Sequence, residues 1–247
     1  MLNKTRRYRV LCLAIISLLI LAACDFREDD WPGLSAANMH GNEIYIAYGN
    51  FIARLDINPE DGSFSRTWVY PDDENRGPDF YAPAAAYDGA VYVGDYDGGV
   101  HAIDRATGER LWVYEQSGTD LFGFVNFGGT PDRIIGGITA GTVNDEPVVF
   151  VPDEEGIFAL AQTQESEDAE RLPDWALETE RAVWSKPLYL TNDDQPARLY
   201  VTSLDQHLYA VDPADASVEW SVELGGAAAG TPTVFTIDDQ IVLLIST

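Results

Sequence analysis

The amino-acid sequence predicts an all-β chain, a β-propeller of four-stranded antiparallel blades, and three observations carry that prediction. A hairpin signature returns four times, a tryptophan follows each hairpin, and no apolar run at helical spacing appears beyond residue 30. In chain order the hairpins pair 44–46 with 52–56, 91–93 with 100–104, 148–151 with 157–161 and 199–201 with 208–212. Their turns are Gly49-Asn50, Asp97-Gly98-Gly99, Glu154-Glu155-Gly156 and Asp205-Gln206, residue types that accept tight-turn geometry. The third strand of each unit carries Trp68, Trp112, Trp175 or Trp220, and a fourth comes from the run around each upstream proline. Those prolines, at 32, 83, 131, 187 and 232, recur about every 50 residues. A single small sheet cannot bury both of its faces, so such units must stack face to face. An open solenoid or a sandwich is the rival arrangement. The expected blades are 31–79, 80–126, 127–180 and 181–225, with a partial fifth at 226–247. Four repeats and the start of a fifth lead us to expect a fragment of a longer reading frame, an incomplete ring.

The chain has 247 residues, 46% of them hydrophobic, which suits a globular domain and excludes wholesale disorder. Its net charge is −26, from 41 acidic and 15 basic residues. Such a surface repels phosphate backbones and excludes nucleic acid as a partner. It suits a self-repelling soluble exterior, cationic protein partners or a salty habitat, and composition does not choose among them.

Residues 1–23 have a separate character. Lys4, Arg6, Arg7 and Arg9 precede an uncharged apolar run over 10–23, too short to span a bilayer comfortably. Leu21-Ala22-Ala23-Cys24 follows, and then the acidic stretch 25–30. This resembles a bacterial lipoprotein signal peptide with its lipobox, which implies cleavage before Cys24 and lipidation of that thiol. An uncleaved anchor or a secretory peptide cut elsewhere is the alternative. Two or more acyl chains anchor a protein where one does not. Asp25 directly after the cysteine resembles the signal that retains lipoproteins at the cytoplasmic membrane, so the expected location is its outer face, with the outer membrane less favoured. Cys12 and Cys24 are the only cysteines, so the expected exported domain has no disulfide and no cysteine metal site.

The stretch Asp97-Gly98-Gly99-Val100-His101-Ala102-Ile103-Asp104-Arg105-Ala106-Thr107-Gly108-Glu109-Arg110-Leu111-Trp112 resembles the quinoprotein, or PQQ-like, repeat. That repeat builds the propellers of quinoprotein dehydrogenases and of BamB-type lipoproteins. Residues 80–116 match best and 199–220 match well, with Ala216-Ser217 in place of Thr-Gly. The resemblance implies structural roles: Trp68, Trp112, Trp175 and Trp220 dock between blades, while Asp56, Asp104, Gly108 and Asp212 shape turns.

In the dehydrogenases of that group a quinone sits on the axis under a Cys-Cys disulfide ring, with Ca²⁺ held by Glu, Asn and Asp. The domain expected here has no cysteine pair, so the resemblance implies no catalytic residue, no cofactor and no metal ligand. His40, His101 and His207 fall at unrelated repeat positions and read as turn or surface residues. Ser35, Ser185 and Ser203 lack a nucleophile context. Asp95-x-Asp97-x-Gly99 and Asp72-Asp73-Glu74-Asn75 read as solvated turns, with Ca²⁺ ligation the alternative. Gly128-Gly129, Gly136-Gly137 and Gly225-Gly226 read as bends rather than phosphate loops. The expected function is a membrane-anchored, non-catalytic protein-binding scaffold. A PQQ-dependent oxidoreductase and a polysaccharide-binding or sensory ectodomain are the alternatives.

Overall fold

A computed structural model describes residues 36–72, 77–115, 133–161, 169–192, 195–237 and 240–247, all within a compact unit spanning Gly33–Thr247. Every regular element among them is a strand. The first sheet is β1 (Ala36–His40), β2 (Glu43–Tyr48), β3 (Phe51–Ile57) and β4 (Phe64–Tyr70). The second is β5 (Ala85–Tyr87), β6 (Ala90–Gly94), β7 (Val100–Asp104) and β8 (Arg110–Tyr114). The third is β9 (Thr139–Val143), β10 (Glu146–Pro152), β11 (Gly156–Ala161) and β12 (Glu170–Glu178). The fourth is β13 (Leu188–Asn192), β14 (Gln195–Thr202), β15 (His207–Val211) and β16 (Val218–Glu223). A two-stranded sheet, β17 (Thr233–Ile237) with β18 (Gln240–Leu244), closes the series. Within each sheet neighbours in sequence are neighbours in space and all pairings are antiparallel.

The core lies between sheets, and side-chain alternation explains why. On β6, Val91 and Val93 face the first sheet and join Tyr45, Ile52, Trp68 and Phe80. Ala90 and Tyr92 face the other way and join Val149, Val151, Phe158 and Leu160 of the third sheet. On β10, Val148 and Phe150 turn toward Leu199, Val201 and Val211 of the fourth. A strand buried on both faces needs apolar residues at every position, hence the unbroken runs at 90–93 and 148–151. Beyond the fourth sheet the pattern changes. Val218, Trp220 and Val222 of β16 and Phe235, Ile237 and Leu244 of the two-stranded sheet are exposed.

Candidate functional site

Each four-stranded sheet carries an aromatic and a tryptophan on strands that flank a third, and in three of the four sheets a small residue lies between them. Tyr92 pairs with Ala102, which pairs with Trp112, and Tyr200–Ala210–Trp220 repeats the row. The alanine leaves room for the flanking rings to meet above it, with centroids 5.8 and 6.0 Å apart. Phe150 and Trp175 meet at 5.1 Å over the β11–β12 bulge. In the first sheet Arg54 replaces the alanine between Tyr45 and Trp68.

Two of the tryptophans, Trp68 and Trp175, dock on the turn of the next sheet. Trp68 Nε1 donates to the carbonyl of Arg105 at 3.0 Å, and Trp175 Nε1 to that of Pro213 at 2.8 Å. Arg105 and Pro213 each follow a turn aspartate. Asp104 Oδ1 accepts from the amides of Ala106 and Thr107, and Asp212 Oδ1 accepts from Ala214. Four residues after each aspartate the backbone is left-handed, at Gly108 (φ +79°) and Ala216 (φ +62°), and donates back to the aspartate carbonyl. Glycine at 108 has a second cause: a Cβ there would lie 2.6 Å from Trp68 Cγ.

The exposures of Trp68, Trp112 and Trp175 are 8, 3 and 4%, whereas Trp220 is 42% exposed, with no turn docked on it among the described residues. In the first sheet Asn58 holds the aspartate position of the turn, with Asn58 N donating to Ser63 O and Gly62 N to Asn58 O. Asp56, which the repeat alignment selects, is still inside β3, where it holds Arg54 and Thr67. That hairpin is longer, so counting from the strand misplaces its turn. Cys24 lies outside the described residues, as do Asp73-Glu74-Asn75 and Gly128-Gly129.

A charged clamp fixes the first sheet to the second. Glu43 lies between Arg54 at 2.9 Å and Arg105 at 2.7 Å, and Tyr45 donates to it. Burial opposes ionisation of Glu43, but the bonds from Arg105 and Tyr45 outweigh it and hold the carboxyl below its ordinary range. Burial, and then Glu43, push the Tyr45 phenol up to about 12.

His101 is not at the surface as its sequence position suggested. It is 6% exposed, packed edge-on against Phe80, and held by Asp95 Oδ2 on Nε2 at 2.8 Å and Tyr70 Oη on Nδ1 at 3.0 Å. Asp95 Oδ1 also accepts from the amides of Asp97 and Gly99, so its carboxylate organises the turn that ends the β6–β7 hairpin. Asp153 does the same for Glu155 and Gly156. Ser185 and Ser203 hydroxyls donate to the carbonyls of Thr202 and Arg181. Among the described residues no three His, Cys, Asp or Glu side chains converge as metal ligands.

One pocket with polar and apolar walls lies where the first strands of successive sheets approach. It has a volume of about 430 Å³, and its walls include Asn38, Ala86, Tyr87, Thr139, Lys186 and Tyr189. Thr231, just before β17, completes it. Tyr87 and Tyr189 hydroxyls are tied to Thr142, and Thr139 donates to the carbonyl of Pro187. These walls do not fit a quinone with its Ca²⁺, because none of the described lining residues is a carboxylate.

With this geometry in hand, a family model described as outer membrane protein assembly factor BamB matches residues 74–140. The fold is a β-propeller of PQQ-like repeats. The quinohemoprotein alcohol dehydrogenase from Comamonas testosteroni superposes with a TM-score of 0.50 at 14% identity, covering 85% of this chain and 39% of that one. Sqt1 from Saccharomyces cerevisiae superposes with a TM-score of 0.56 at 10% identity, over 81% of this chain and 50% of its own. A europium-containing methanol dehydrogenase reaches a TM-score of 0.48 at 12% identity, over 89% and 48%. The chain thus spans half or less of the length of these structures. No curated protein matches the sequence.

Proposed function

We propose that the protein is a lipid-anchored, extracytoplasmic scaffold that binds other proteins and catalyses no reaction itself. The observation that carries this reading is the match of residues 74–140 to a model described as an assembly factor, over the sheet whose turn geometry is the most regular. Two features support it. Among the described residues the pocket between the first strands has no Ca²⁺-ligating carboxylate, and the polar clusters around Asp95 and Glu43 are consumed in holding turns and sheets together. The charge of −26 favours cationic partner surfaces and salt-dependent association. In this reading the anchor is an acylated Cys24, and the resemblance of Asp25 to an inner-membrane retention signal favours the outer face of the cytoplasmic membrane.

The test has two arms. Full-length protein expressed in a bacterium partitions into detergent, and Cys24→Ser releases it to the aqueous phase. The membrane-anchored protein captures a discrete partner in fixed ratio, and added salt weakens the complex. Dye reduction that depends on added PQQ and Ca²⁺ would overturn the non-catalytic reading in favour of an oxidoreductase.

A further inference from the structure

Lys186 is one of two lysines in the chain, the other being Lys4. It sits just before β13 in the wall of the pocket formed by the first strands. Its aliphatic stem packs on Gly137, where an added Cβ would lie 2.8 Å from Lys186 Cβ and 3.2 Å from Cδ. The side chain is half-buried, and among the described residues no carboxylate pairs with its ammonium, in a protein with 41 acidic residues. Burial pushes this amine below the ordinary lysine range, and no neighbouring anion restores it. An ammonium held out of water without a counter-charge is a standing cost that an anionic ligand would offset.

The surroundings define that ligand. Thr231 Oγ1 accepts from the Lys186 backbone amide at 3.1 Å, which leaves its own proton available to a second acceptor beside the lysine. Other wall donors are partly or wholly engaged: Asn38 Nδ2 gives one of its two protons to Ala84 O, Thr139 Oγ1 donates to Pro187 O and Tyr189 Oη to Thr142 O. Ala85, Ala86, Ala140, Pro187 and Leu188 supply apolar wall, and no acid repels an anion. We propose that Lys186 and Thr231 bind the carboxylate of a small aliphatic acid, with its hydrocarbon part against the alanine and leucine walls. This site is separate from the protein-binding reading and stands or falls without it.

Full-length protein made by membrane-free cell-free synthesis, which leaves residues 1–23 in place, and labelled with ¹³C at lysine Cε gives two signals, and Lys4 serves as the internal control. Titration with butyrate is expected to move the Lys186 signal saturably, with half-saturation in the millimolar range or below, and to leave Lys4 in place. Butyramide, of the same shape without the charge, moves neither. Lys186→Met keeps the stem on Gly137, and calorimetry then registers no butyrate binding. Thr231→Val, which leaves the lysine in place, weakens binding several-fold. Equal movement of both lysine signals, an equal response to butyramide, or unchanged binding by Lys186→Met would each overturn the proposal.

Discussion

Replacing Trp175 by phenylalanine isolates the contact that joins one sheet to the next. The indole is 4% exposed, its ring centroid is 5.1 Å from that of Phe150, and Nε1 donates to Pro213 O at 2.8 Å. Phenylalanine keeps an aromatic ring but removes the donor, and a buried carbonyl that loses its partner costs about 1–3 kcal/mol. The smaller ring leaves a gap worth roughly 1 kcal/mol more. The expected loss is therefore about 2–4 kcal/mol. The same change at Trp220, which is 42% exposed and has no hydrogen-bond acceptor among the described residues, is expected to cost no more than about 0.5 kcal/mol. Urea unfolding of the full-length variants, followed by far-ultraviolet circular dichroism because the indole signal itself changes, reads both. With a slope of about 2–3 kcal/mol per molar urea, the Trp175 midpoint falls by roughly 1 M and the slope is unchanged. Equal midpoint shifts at the two positions would refute docking of Trp175 on the following turn.

Four further outcomes are expected. Asp95→Asn removes a carboxylate that burial pushes up but that His101 and the amides of Gly99 and Asp97 hold below its ordinary value of 3.8. Its contribution, about 2 kcal/mol, is fully present above pH 3.8 and lost as pH falls through the lower folded value. The gap between wild type and variant in urea midpoint should then be constant at neutral pH and close in acid, and a gap unchanged at the lowest pH would count against the network. Gly156→Ala places a Cβ 1.9 Å from Leu177 O at φ +151°, and should destabilise by at least about 2 kcal/mol. Gly41→Ala, left-handed but in open space, should cost about 1 kcal/mol by the same assay. Ala102→Leu forces a larger side chain between Tyr92 and Trp112 and should cost about 1–3 kcal/mol, read as a lower melting temperature.

The parts of the fold set by local rules were legible in the residues. Short apolar runs flanking Gly-, Asp- or Asn-containing turns located the hairpins, and the recurrence of the unit with its tryptophan announced the stacking. The repeat failed where one hairpin differs in length, so that Asn58 rather than Asp56 holds the turn. His101 was misread because its partners Tyr70 and Asp95 come from different strands, and Tyr70 from another sheet. Lys186 gave only the signal of being the one lysine beyond residue 23. Its pocket exists because first strands far apart in sequence converge, and no motif records that. Ala102 and Ala210 are visible as repeats, but their purpose needs the cross-strand register that brings Tyr and Trp rings together above them.

The docked tryptophans and the lysine pocket both depend on consecutive sheets stacking face to face, and amide hydrogen exchange of the full-length protein reads that stacking directly. Amides of β6, β7, β10 and β11, in sheets covered on both faces, should exchange slowest, and those of β17 and β18 fastest. Protection of β17 and β18 equal to that of β10 and β11, or uniform exchange along the chain, would contradict it.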